Sequence, residues 1–376
     1  MSRKYFYGFL FLGTSTLVFG VTSALLYFGG AKDPIIRAKM LMAHTPENQR
    51  LVAHARQLSA AVLERTKGQL SLELVFPPDK QRDGNDFDWA AERLNLGEYQ
   101  MSQISISSLS RFGSSIGFLE APFLFSDHPH AAEVFDGEIG AEISERYLAQ
   151  SKTIRPLAFT YSGGFRIMVS NERLSKVEDL IGLKARIPFS SAHNVAADKS
   201  IRGLTLSSLG ISGKLIGFKN GAVSELDLFR SSEINFSEDH YSHYTRLYKK
   251  YGIVSRKMGY VLETNHSLFL TAIVVSQSFH QSLSKEHQEI LEDEAQQLAL
   301  RERTDSIAVD QAAKEWLQVS GYTVEVPSPE FQFDLKEKTK AVYSEIANRP
   351  GAEILERIRN LKKSSLALKD NPATGK

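Results

Sequence analysis

The sequence predicts an α/β protein, and three observations carry that reading. Apolar runs of strand length alternate with helical periodicity between Ala38 and Ser105. The same style resumes in the middle of the chain, from Pro156 to Ile187. One helical pattern then runs from Ser284 to Gly321 with no internal Gly or Pro. Strand-helix-strand-helix order is the signature of parallel sheets joined by crossover helices.

Taken in order, Ala38–Ala43 is an apolar run suited to a buried first strand. Pro46 opens a helical pattern through Leu63, with Leu51, Ala55, Leu58 and Val62 at three- and four-residue steps. Lys67-Gly68 closes it as a C-cap. Leu70–Phe76 alternates apolar and polar positions before Pro77-Pro78, as a half-buried strand should. A helix around Trp89–Leu96 stops at Gly97, and a strand follows at Gln100–Ser105. Further strands are expected at Pro156–Tyr161, Ile167–Ser170 and Lys184–Ile187. The Ser284–Gly321 pattern is too long for one compact lobe. It reads either as a helix spanning two lobes or as a surface helix with tight bends. The polar tail after Lys362 reads as fraying.

Composition narrows the chemistry. The 376 residues carry a formal net charge of +1, without the clustered basic surface of a nucleic-acid binder. There is no cysteine, which excludes thiol catalysis, thiolate metal sites, disulfides and an acylated lipoprotein anchor. Its absence also favours an oxidising compartment. Arg3 and Lys4 precede an apolar stretch from Tyr5 to Gly30, the pattern of export. Residues 1–36 are therefore expected to be either a signal peptide, with Ala31 as the cleavage position, or an uncleaved membrane anchor. Either way the remainder should lie outside the cytoplasm, in the periplasm.

Several motifs invite a chemical reading. Gly113-Ser114-Ser115-Ile116-Gly117 fits the G-x-S-x-G nucleophile elbow, but the preceding residues read as a loop where the elbow needs a strand. Glu238-Asp239-His240 with His243 reads first as a solvated helix start and second as a divalent-metal site. His128-Pro129-His130 with Glu133 reads first as a helix start with Pro near N1. No phosphate-binding glycine loop is present, so neither a cofactor nor a bound metal is expected. Two arginines stand apart: Arg166, after Gly163-Gly164-Phe165, and Arg186, within Gly182-Leu183-Lys184-Ala185-Arg186-Ile187-Pro188. A guanidinium at the end of a strand in an α/β sheet can clamp a carboxylate with two parallel hydrogen bonds, although each alone is as readily a surface residue.

Segments in the same order along nearly the whole chain resemble the solute-binding subunits of TRAP transporters, the dicarboxylate-type family. They include His44-Thr45-Pro46-Glu47-Asn48, Lys67-Gly68-Gln69-Leu70 and Leu96-Gly97-Glu98-Tyr99-Gln100-Met101. Most specific are Leu119–Phe125, His130–Gly137, Gly164-Phe165-Arg166 and Asp179–Pro188; Asn265-His266 and Leu283–Gln288 continue the order. The resemblance implies a two-lobed clamshell with crossing strands and a long lobe-spanning helix. Residues 37–162 with 266–300 would form one lobe, 163–265 with 301–362 the other, and 363–376 a flexible tail.

It further implies that Arg186 is the principal carboxylate clamp and Arg166 its support, with Asp239 and Glu225 tuning selectivity. No reaction is performed: a small organic acid is captured and handed to TRAP membrane subunits, by a monomer or dimer. A membrane-anchored sensor or partner-binding clamshell is the alternative. One departure bears on the ligand. The family's asparagine in its acidic-Gly segment is Asp239 here, within Ile234-Asn235-Phe236-Ser237-Glu238-Asp239. An ionised Asp only accepts hydrogen bonds, so unless it is protonated or turned away it suits an amine or hydroxyl better than a second carboxylate. The stretches Ala197–Ser208 and Ile211–Asn220 read as extra material at the pocket rim.

Overall fold

The computed structural model describes residues 34–43, 49–77, 86–187, 200–215, 225–251 and 258–370. The leader up to residue 33, the His44–Asn48 turn and the rim stretch 216–220 lie outside the described residues, as do the side chains of Arg186 and Glu225. Among the described residues no helix is long and apolar enough to cross a membrane.

Two sheets form the frame. The first has five strands in the order β2 (Leu70–Val75), β1 (Ile36–Leu41), β3 (Met101–Ser105), β10 (Thr271–Ser276) and β4 (Ile154–Thr160). The second has six, in the order β11 (Thr323–Glu325), β9 (Tyr260–Leu262), β5 (Ile167–Ser170), β8 (Phe236–Asp239), β6 (Lys184–Ile187) and β7 (Ser212–Leu215). The expectation of parallel pairing holds for β1 with β2 and β3, for β6 with β7 and β8, and for β9 with β11. It fails for β10, antiparallel to both β3 and β4, and for β5, antiparallel to β8 and β9. The reason is topological. β10 joins the first sheet on the chain's return from the second, so no local crossover helix dictates its direction.

Local chemistry accounts for the elements. In β10 the run Thr-Ala-Ile-Val-Val-Ser is buried at all six positions, as a strand covered on both faces requires. Helix Gln49–Arg65 buries Leu51, Ala55, Leu58 and Val62. Gly68, at φ +83°, closes it by donating its N–H to the Leu63 carbonyl at 2.8 Å. Apolar clusters cover both faces of each sheet.

The long pattern is one helix, Lys285–Val319, of 35 residues. At 1.5 Å per residue it spans about 52 Å. Ser284 caps it, accepting the His287 N–H. Its inner stripe is apolar at Leu291, Ala295, Leu298 and Ala299 against the first sheet. The stripe turns polar at Glu302, Arg303, Ser306 and Asp310, then apolar again at Ala313 and Leu317 against the second sheet. The helix therefore belongs to both cores, and its polar middle marks the junction. Helix Ala352–Asp370 continues past Lys362 and returns Ile354 and Ile358 to the first sheet's core.

Candidate functional site

The junction between the sheets is built from two extended segments and the long helix. The chain leaves β4 through Tyr161–Arg166 and returns through Thr264–Leu270, and the two segments run antiparallel. Phe165 bridges Leu268, and Arg166 donates its backbone N–H to the Ser267 carbonyl at 2.7 Å. Gly163 and Gly164 are dictated by close approach. A Cβ on Gly163 would lie 2.3 Å from the His240 ring, and one on Gly164 would lie 2.4 Å from the Asp310 carboxylate.

Strand register gathers the residues that the sequence singles out. β5 pairs Ile167 with Asp239, which places Arg166 beside the C-terminal end of β8. β6 pairs Ala185 with Phe236 in parallel, which carries the Arg186 backbone toward that same end. Arg166, Arg186 and Asp239 thus share one end of the second sheet, where ligands of open α/β sheets bind. Glu225 is the first residue of helix Glu225–Arg230, apart from this register.

Arg166 is 5% exposed. Its guanidinium lies over the Phe269 ring at 5.1 Å, with the Glu120 carboxylate 3.9 Å away. It opens onto a cavity of ≈ 220 Å³ lined also by Glu120, Arg202, Thr205, Glu238 and His266. Glu238, 2% exposed, is the hub of this wall. Arg202 Nε donates to its Oε1 at 2.5 Å, and Arg202 Nη2 reaches its backbone carbonyl at 2.9 Å. His266 Nε2 lies 2.7 Å from Glu238 Oε2, while Thr264 Oγ1 sits 2.7 Å from His266 Nδ1. In the neutral ring the carboxylate can only accept, so Nε2 carries the proton and Nδ1 accepts from Thr264. Burial opposes ionisation of Glu238, but Arg202, His266 and Arg166 outweigh it and hold its pKa at about 2.

Asp239 accepts the His240 backbone N–H at 2.9 Å, with His240 Nε2 at 3.4 Å and His243 Nδ1 at 3.7 Å. Burial again opposes ionisation, and His243, His240, Arg166 and Arg202 overcome it, so its pKa falls well below the usual carboxylate range. Burial pushes His240 toward its neutral form, which leaves the arginines as the decisive charges at neutral pH. Asp239 is therefore an ionised acceptor, and a protonated role is ruled out. His240 stacks on Phe269 at 5.4 Å, and its Nδ1 meets Ser242 Oγ at 2.8 Å.

The remaining motifs resolve locally. Ser115 lies in a 3-10 helix, Ser114–Glu120, with its Oγ buried and unpartnered; the strand an elbow requires does not precede it. Asp127 caps helix His128–Asp136, and His130 accepts the Ser126 N–H at Nδ1 while Nε2 faces the Ile358 carbonyl. Among the described residues no group of three or more His, Asp or Glu side chains is arranged to hold a metal.

Sequence reasoning missed Arg202, Glu120, His266 and Phe269 as members of the site. Arg202 lies in the stretch read as rim material, and its pairing with Glu238 spans 36 residues with no local signature.

Comparison with known proteins places this geometry. The family of bacterial extracellular solute-binding proteins, family 7, matches residues 42–200 and 254–349. Residues 201–253, which hold Arg202, Glu238, Asp239, His240 and His243, fall between the two matched parts. A solute-binding protein of Roseobacter denitrificans is 26% identical over 288 residues, covering 74% of this chain and 79% of that one. A TRAP periplasmic solute-binding protein of Haemophilus influenzae with bound L-gulonate superposes with a TM-score of 0.71 at 20% identity, covering 87% of this chain and 99% of that one. One of Xanthobacter autotrophicus with bound β-D-galacturonate gives 0.70 at 19% identity, covering 86% and 99%.

Proposed function

The chain belongs to the bacterial extracellular solute-binding proteins of family 7, and from that premise we propose that it captures a small polyhydroxylated carboxylic acid at the junction of its two sheets. Arg186 is the principal carboxylate clamp and Arg166 its support, with Asp239 and Glu225 tuning selectivity. The lobes divide as residues 37–162 with 266–300 and residues 163–265 with 301–362. The loaded protein delivers its solute to TRAP-type membrane subunits.

One observation carries this reading: the register of β5, β6 and β8 that brings Arg166, Arg186 and Asp239 to one end of a sheet. The solute class follows from charge. Glu238 and Asp239 are ionised acceptors beside the arginines, so the ligand must offer donors as well as a carboxylate. Hydroxyl groups supply them, and the ligands of the two solved relatives, L-gulonate and β-D-galacturonate, are acids of that kind. A plain dicarboxylate without hydroxyls would face two fixed anions in a partly dehydrated site.

Calorimetric titration with gluconate, galacturonate and succinate tests this reading. The hydroxylated acids are expected to bind and succinate to bind more weakly. Arg186→Ala should weaken the hydroxylated acids by ~2–5 kcal/mol, roughly 30-fold or more. Unchanged affinity in that variant removes the clamp assignment, and a preference for succinate removes the solute class.

A further inference from the structure

A second pair of arginines meets at the same junction, away from Arg166 and from the cavity it lines. Arg50, at the start of helix Gln49–Arg65, donates from Nη1 to Ser306 Oγ at 2.8 Å and from Nη2 to the Ser162 carbonyl at 2.9 Å. Four residues further along the long helix, Asp310 accepts the Ser242 backbone N–H at 2.9 Å and pins the first turn of helix Tyr241–Tyr251. Ser306 and Asp310 are one turn apart, so the Arg50 head and the start of that helix lie within about 6 Å along the axis. Arg246 follows Ser242 by one turn, and helical side chains lean toward the N-terminus of their helix, here toward this junction.

Arg246 is solvent-exposed and has no ion pair within 4 Å among the described residues. Its pKa is nevertheless lowered, first by the protein atoms crowding it; Asp239 and Asp310 attract it and Arg50 opposes it. A group both wet and crowded lines a cleft. Arg50 responds in kind: its pKa is lowered by burial against the pull of Glu302, Asp305 and Asp310. These acids have other partners. Asp305 lies 2.9 Å from His54, and Asp239 accepts from the His240 backbone. Glu302, whose carboxyl burial pushes toward its neutral form, is enclosed by Gln103, Thr160 and Ser162.

The geometry points to a second anion seat between Arg50 of the first-sheet lobe and Arg246 of the second, which takes a carboxylate or phosphate at the end of the solute remote from Arg166. This inference rests on the proposed capture of a hydroxylated acid and names its far end. Two guanidiniums facing each other across a cleft repel; an anion between them replaces that repulsion with two charge-assisted contacts, one to each lobe. Such a ligand favours the closed arrangement over any in which the lobes part.

Titration of the full chain with gluconate, glucarate and 6-phosphogluconate decides it. These probes share the hydroxylated carboxylate and differ at the far end. The expected result is binding of glucarate or 6-phosphogluconate at least tenfold tighter than gluconate. The member of the pair that gains more identifies the far-end group. Arg246→Gln, an exposed position, should erase the gain and leave gluconate within twofold. Equal affinities for all three acids overturn the seat alone, as does an Arg246→Gln loss that falls equally on gluconate. Binding of none of the three overturns the capture reading and the seat with it.

Discussion

Replacing Glu238 with glutamine should destabilise the protein at neutral pH and flatten part of its acid unfolding. The carboxylate is buried, holds Arg202 and His266, and titrates at about 2 instead of 4.5. At roughly 1.4 kcal/mol per pH unit, that difference is worth about 3 kcal/mol of folding stability. Breaking a buried pair by removing one partner costs about as much, 3–5 kcal/mol, because the abandoned charge stays buried. For a large domain, where 1 kcal/mol moves the melting temperature by roughly 2–4 °C, the expected fall is about 6–12 °C. The sign with pH follows from a depressed carboxylate pKa: the contribution is complete above about 4.5 and disappears as pH falls toward 2. Thermal melts of wild type and Glu238→Gln, recorded from pH 7 to pH 2.5, should therefore converge at the acid end. Other depressed carboxylates, such as Asp239 and Glu292, shape both curves, so the difference between the proteins is the informative quantity. A gap under 1 °C at pH 7, or one that persists undiminished at pH 2.5, would refute the assignment of Glu238 as the ionised hub.

Two further outcomes follow from backbone geometry. Gly163→Ala would drive a methyl group to 2.3 Å from the buried His240 ring and should cost about 1–3 kcal/mol, read from the urea midpoint. Acid affinity should fall with it, since the same ring stacks on Phe269; a neutral result would mean the junction can yield. Ser284→Ala removes the side-chain acceptor at the start of the long helix and should cost about 1 kcal/mol, measured by the same denaturation without change in ligand affinity.

What the sequence shows of this molecule is mostly what is encoded locally. The stripe of helix Gln49–Arg65, the cap at Gly68 and the strands Ile167–Ser170 and Lys184–Ile187 stand where periodicity puts them, because each depends on neighbours a few residues away. The unbroken pattern from Ser284 likewise becomes one helix that touches both cores. Strand direction was less legible. β10 pairs Thr271 with Ser105 and Thr160, partners that nothing near residue 271 announces. The site divides in the same way. Glycine spacing marks Arg166, and Asp239 stands out as a departure from a pattern. Arg202 joins them only through a carboxylate 36 positions away, and His266 through one 28 away. A lone arginine at the start of a short helix has no signature until the fold gives it a partner.

The place of β10 also bears on how the chain acquires its structure. This strand lies between β3 and β4, yet it follows every strand of the second sheet except β11 in the sequence. Until residue 276 is available, β3 and β4 each present an open hydrogen-bonding edge with no neighbour to fill it, a template for pairing with other chains. The first lobe cannot finish before most of the second exists, so the molecule should mature as a single cooperative unit, slowed by long loop closure, with no folding of one lobe after the other. A chain interrupted before Thr271 would be an aggregation hazard, and the order in which the strands arrive gives the cell a reason to hold the nascent polypeptide unfolded until nearly all of it has emerged.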